Sequence, residues 1–91
     1  MMKTMEKWRL IVHYRWEQAG PRPLNGSDPE PTILPPFGSE ESARAAIEWD
    51  YLAGWWRSRH VNCRLTEITV ELEKEVNRKW EKAAPPAKLA L

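Results

Sequence analysis

Residues 39–59 read SEESARAAIEWDYLAGWWRSR, and the phase of the apolar positions in this stretch decides what the chain builds. At about 100° per residue, Ala45, Ala46, Trp49, Leu52, Ala53 and Trp56 fall within one arc. Ala43, Ile47, Tyr51, Gly54 and Trp55 fall on an arc roughly opposite. Arg44, Glu48 and Arg59 line one seam between the arcs, and Asp50 and Arg57 line the other. Ser39 is placed to cap the first turn, Glu40 and Glu41 suit its positive dipole end, and Arg57 and Arg59 suit the other end. The spacing therefore predicts one helix over about 39–60 with two apolar faces. A helix lying on a small core buries only one of them. The second must be covered by a loop, another element or another molecule.

Upstream, Lys7 to Glu17 alternates as a strand does, with Trp8, Leu10, Val12, Tyr14 and Trp16 on one face and Arg9, Ile11, His13, Arg15 and Glu17 on the other. The first set reads as the core face, the second as a basic, wetter face. Residues 18–36 carry six of the eight prolines and read as a long irregular connection, with a turn at Asn25-Gly26. Thr32-Ile33-Leu34 within it reads as a short edge strand beside the first, because flanking prolines withhold ladder donors.

Downstream, residues 63–72 fit two patterns. Ile68, Val70 and Leu72 alternate as in a strand, with Cys63 and Leu65 out of phase, whereas Leu65, Ile68, Leu72, Val76 and Trp80 also approximate a helical stripe. Thr66, Ile68, Thr69 and Val70 favour a strand with a bulge. Residues 73–84 then read as a short helix with Val76 and Trp80 facing inward, ended by Pro85 and Pro86, and 85–91 as a frayed tail. The expected fold is a single α+β domain over 1–91: a two-layer sandwich of an antiparallel sheet of two or three strands on one long helix, with a short C-terminal helix.

The opening Trp8-Arg9-Leu10-Ile11-Val12, the stretch Phe37-Gly38-Ser39-Glu40-Glu41-Ser42-Ala43-Arg44-Ala45-Ala46 and the closing strand together resemble many short bacteriophage accessory proteins of unassigned function. The resemblance covers about residues 7–72 and rests on a capped helix start and alternating strands. It implies a role in modulating a host component, and it carries over no functional residue.

Composition narrows the function classes. With 14 Lys and Arg against 13 Asp and Glu, the formal charge of +1 leaves no global footprint for nucleic acid or an anionic membrane. No apolar run reaches the length of a membrane span, and a single cysteine, Cys63, allows no internal disulfide, so the expected setting is cytoplasmic. Six Trp in 91 residues exceed what so small a core holds, which places some at the surface or an interface. His60 and Cys63, with His13 on another element, give too few ligands for a zinc site and no oriented nucleophile–base pair, so neither metal, cofactor nor catalysis is expected.

What remains is the row Ile47, Tyr51 and Trp55, spaced by four residues and flanked by Arg44 and Glu48. It reads as the binding face of a non-enzymatic docking module, whose partner is another protein or a second copy of the chain. Either that face is open to a partner, or the proline-rich loop or the C-terminal helix folds over it. The alternative is a nucleic-acid-binding accessory protein that uses Arg9, His13, Arg15, Arg57 and Arg59 beside tryptophans for phosphate contact and base stacking.

Overall fold

The computed structural model describes residues 6–20, 24–60 and 62–91. Within them the chain forms β1 (Trp8–Gln18), β2 (Leu24–Ser27), β3 (Thr32–Phe37), α1 (Glu40–Ala45), α2 (Trp49–Arg57), β4 (Cys63–Val76), β5 (Lys79–Lys82) and β6 (Ala87–Ala90). The expected sandwich on one long helix is therefore corrected. The protein is mainly β, a six-stranded antiparallel sheet with two short helices on one face. Pro21 and Pro23 of the expected proline-rich loop lie outside the described residues, as does Val61.

β1 and β4 form the axis of the sheet, paired from Trp8 opposite Lys74 to Gln18 opposite Cys63. Each is followed by a return arm broken in the middle. β2 and β3 both lie along the outer edge of β1, and β5 and β6 both lie along the outer edge of β4. The sheet is thus four strands wide, made of two long hairpins joined by the helices. Thr32-Ile33-Leu34 does pair along the edge of β1, opposite Val12, Ile11 and Leu10. Asn25-Gly26 is not a turn but lies in β2, where Gly26 faces Trp16. A Cβ built there would meet the Trp16 ring at 2.6 Å, so only glycine lets the indole lie flat on β2.

The ambiguity at 63–72 resolves through one bulge. Arg15 pairs with Glu67 but Trp16 pairs with Leu65, so Thr66 is an extra residue. The bulge brings Leu65 into phase with Ile68, Val70 and Leu72, and all four are buried. Residues 73–84 are strand and turn where a helix was expected. Glu71, Glu73 and Glu75 continue the alternation on the open face, and Asn77 and Arg78 take positive φ of 51° and 66°, the two-residue turn that matches strand twist. The sequence signal for this turn is Asn-Gly, and Arg in the second place hides it. Pro85 and Pro86 fill the break between β5 and β6 instead of ending a helix. The tail does not fray. It pairs with β4, and the Leu91 backbone N–H donates to the Thr66 carbonyl at 2.9 Å.

The expected single helix breaks at Ala46-Ile47-Glu48. Ser39 Oγ accepts from the Ser42 N–H at 3.1 Å and starts α1. Ala46 and Ile47 then bond back three residues, and Glu48 turns extended at φ −109°, ψ 105° before α2 begins. The break changes the helical phase. Ala43 of one sequence arc and Leu52, Ala53 and Trp56 of the other are all buried, while Ala45 is exposed. A straight helix would hold Ala43 and Trp56 more than about 120° apart. The two apolar faces of the sequence are thus, in large part, two short helices each turning one face to the core.

That core joins Trp8, Leu10, Val12 and Tyr14 of β1 to Leu65, Ile68, Val70 and Leu72 of β4 beneath Leu52, Ala53 and Trp56. Among the described residues, no buried side-chain polar atom lacks a hydrogen-bond partner. Because Trp56 is 0% exposed at its centre, Trp56→Ala should destabilise the fold by about 3–5 kcal/mol, read from denaturant melts. Arg78→Gly should have the opposite sign and raise stability by up to about 1 kcal/mol, because glycine removes the Cβ penalty at positive φ. A melting midpoint unchanged by the first variant, or lowered by the second, would refute these assignments.

Candidate functional site

Two surfaces remain after the core is closed, the open face of the sheet and the outward side of α2. The open face is a lattice of matched charges. Arg9 Nε donates to Glu73 at 2.7 Å, Arg15 lies 3.5 Å from Glu67, and Arg64 pairs with Glu17. On the far edge Lys88 lies 3.3 Å from Glu67 and Lys82 lies 3.8 Å from Glu71, which also faces His13 at 3.8 Å. Columns of base, acid and base run along β1, β4 and the β5–β6 edge. The ion pairs with Lys88 and Arg15 hold the Glu67 carboxyl below the usual carboxylate range. Ile11 is the dry exception on this face, only 7% exposed. Trp80 lies against Arg9, whose guanidinium stands 4.2 Å from the ring centre. A shallow groove of about 500 Å³ runs among His13, Arg15, Ser27, Thr69 and Lys88.

The cations of the nucleic-acid reading are not brought together. Arg9, His13 and Arg15 point from the open face, each towards a glutamate. Arg57 and Arg59 belong to the helix layer on the other side of the sheet, and Arg59 lies over the Trp55 ring at 4.6 Å. His13 is likewise separated by the sheet from His60 and Cys63. Among the described residues, no group of three or more His, Cys, Asp or Glu side chains could hold a metal ion. No described helix is long and apolar enough to cross a membrane.

The helix layer is anchored by a clasp that the sequence did not suggest. Asp28, in the break between β2 and β3, accepts from the Trp56 indole N–H at 3.2 Å, and its own backbone N–H donates to the Tyr14 carbonyl at 3.1 Å. The His60 ring stacks on Trp56 with centroids 4.2 Å apart and bonds the Trp56 carbonyl through Nδ1 at 2.9 Å. Tyr14 lies beneath, its ring stacked with Trp55 and Trp56 and its hydroxyl donating to the Leu52 carbonyl at 3.2 Å.

The expected docking row divides over this clasp. Trp55 is half-buried against Tyr14, and Ile47 is half-buried at the helix break. Tyr51 stands out, 65% exposed. Arg44 is held by Glu40 at 2.9 Å within α1, and Glu48 is exposed at the start of α2. The outermost line of α2 runs Asp50, Tyr51, Gly54, Arg57 and Ser58, all exposed. Of these the sequence reading assigned only Tyr51 to the binding face. Gly54 keeps its place on the spare arc beside Tyr51, whereas Trp55 turns onto Tyr14 and the outward line takes in Asp50 and Arg57, which the sequence reading had set in a seam.

No family model matches the chain, and no curated protein or solved structure matches it either. The geometry is therefore the only ground for function.

Burial pushes the Tyr14 hydroxyl up to about 12, reinforced by the nearby Asp28 carboxylate. The folded value lies above the unfolded value near 10, so the contribution is complete below pH 10 and lost as pH rises from 10 towards 12. It amounts to about 2–3 kcal/mol. Phenolate absorbance in a Tyr51→Phe background should titrate near 12, and Tyr14→Phe should remove this alkaline loss of stability. A midpoint at the ordinary tyrosine value would contradict the burial of Tyr14.

Proposed function

We propose that the protein is a non-enzymatic docking module whose contact surface is the outward side of α2, centred on Tyr51. The observation that carries this reading is a tyrosine ring left 65% exposed on a helix whose opposite side is fixed by Trp56. A rigid aromatic with two rotatable bonds loses little entropy when a partner covers it. The clasp beneath it, with Tyr14, Asp28 and His60, holds α2 in place and so preorganises the surface. The open face of the sheet is less suited to docking, because its charges already neutralise one another.

A photoreactive phenylalanine analogue placed at Tyr51, in the cells that make the protein, tests this. Illumination should give a covalent adduct with another polypeptide, severalfold more than from the same analogue at exposed Lys88. Tyr51→Ser should leave stability within about 0.5 kcal/mol, as for other surface changes. Equal yields from the two positions, or unfolding of the serine variant, would overturn the assignment.

A further inference from the structure

We propose that α2 pairs with the α2 of a second copy of this chain, antiparallel and crossing near Gly54. The inference rests on the docking reading above and names the occupant of that surface. Three features of the outward line of α2 carry it.

The first is the order of charge. Asp50 lies in the first turn and Arg57 in the last, with Tyr51 and Gly54 between them. A twofold axis at the middle of the helix brings Asp50 against the partner's Arg57, and Arg57 against the partner's Asp50. An isologous contact needs this self-complementarity. A parallel pairing would set acid on acid and base on base. The antiparallel arrangement also opposes the two helix dipoles.

The second feature is that these charges are uncommitted. Arg9, Arg15, Arg44 and Arg64 all have carboxylate partners. Among the described residues, neither Asp50 nor Arg57 takes part in a salt bridge.

The third is Gly54. It sits exposed near the middle of α2, and apart from its chain neighbours and the backbone of its own helix nothing lies within 4 Å of the place a Cβ would occupy. Glycine weakens a helix interior, and packing against its own core does not require it here. A glycine at the crossing point lets two backbones approach closely. Tyr51 then lies across the partner helix beside the partner's Arg57, where ring and guanidinium attract.

Nine helical residues span only about 14 Å, and they present less than the roughly 800 Å² per partner of a standard interface. The pair is therefore concentration-dependent.

Sedimentation velocity on the full chain, from about 5 to about 500 µM, reads the outcome. The wild-type mass should rise from 10.7 kDa towards twice that value, less steeply at high salt. Asp50→Arg and Arg57→Asp should each stay monomeric, because each sets like charges together. An equimolar mixture of the two should associate at least as well as wild type, since every cross pair then has opposite signs. Gly54→Leu adds a side chain into open space, keeps the melting profile, and should abolish association even where a charge variant folds poorly. A wild-type chain monomeric throughout, or single variants that associate as wild type does, would overturn the proposal. An adduct from position 51 to a foreign polypeptide, with the wild type monomeric, removes the second copy as occupant and leaves the docking reading standing.

Discussion

The seating of Trp56 ties together three parts that have separate reasons to fold. Its ring lies against Tyr14 on the central strand, and its indole N–H reaches Asp28 in the broken return arm. Its carbonyl holds His60 just past the end of α2. The alternation of β1 and the local pattern of α2 favour a strand and a helix, but neither sets their mutual position. A large aromatic with one directional donor supplies both area and orientation. Two helices this short are marginal in isolation, so the layer exists because Trp56, Leu52 and Ala53 pack it onto the sheet.

Most of the sheet axis was legible. Trp8, Leu10, Val12 and Tyr14 alternate, and their partners on β4 follow once a bulge at Thr66 is allowed. What escaped depends on non-local contacts. The stretch 39–59 reads as one helix because it contains no proline and its one glycine lies within α2. The break at Glu48 forms because a straight helix cannot bury Ala43 and Trp56 together. Residues 73–84 look helical because lysine and glutamate favour helices locally. There the pairing with β1 and the Asn77-Arg78 turn outweigh propensity. The return arms were hidden by their prolines, which mark breaks in an edge strand as readily as loops.

Those prolines also shape how the molecule meets others. Pro29 and Pro31 lie between β2 and β3, Pro35 and Pro36 in β3, and Pro85 and Pro86 between β5 and β6. Each outer edge is thus interrupted where a foreign strand would need donors. Short, broken, proline-bearing edges are how sheets avoid adding strands from neighbouring molecules. Association is thereby directed away from the edges and onto the faces.

Of the two faces, the sheet side looks richer in chemistry but offers less. Glu67, Glu71 and Glu73 of β4 already face a cation on β1 or on the β5–β6 edge, and breaking such a pair offsets the gain from making a new one. The α2 side is sparse, a tyrosine, a glycine and two unshared charges. Sparse and unshared is the better condition for binding, because little must be given up before contact. A recognition surface here is defined less by how many groups it displays than by how few are already satisfied.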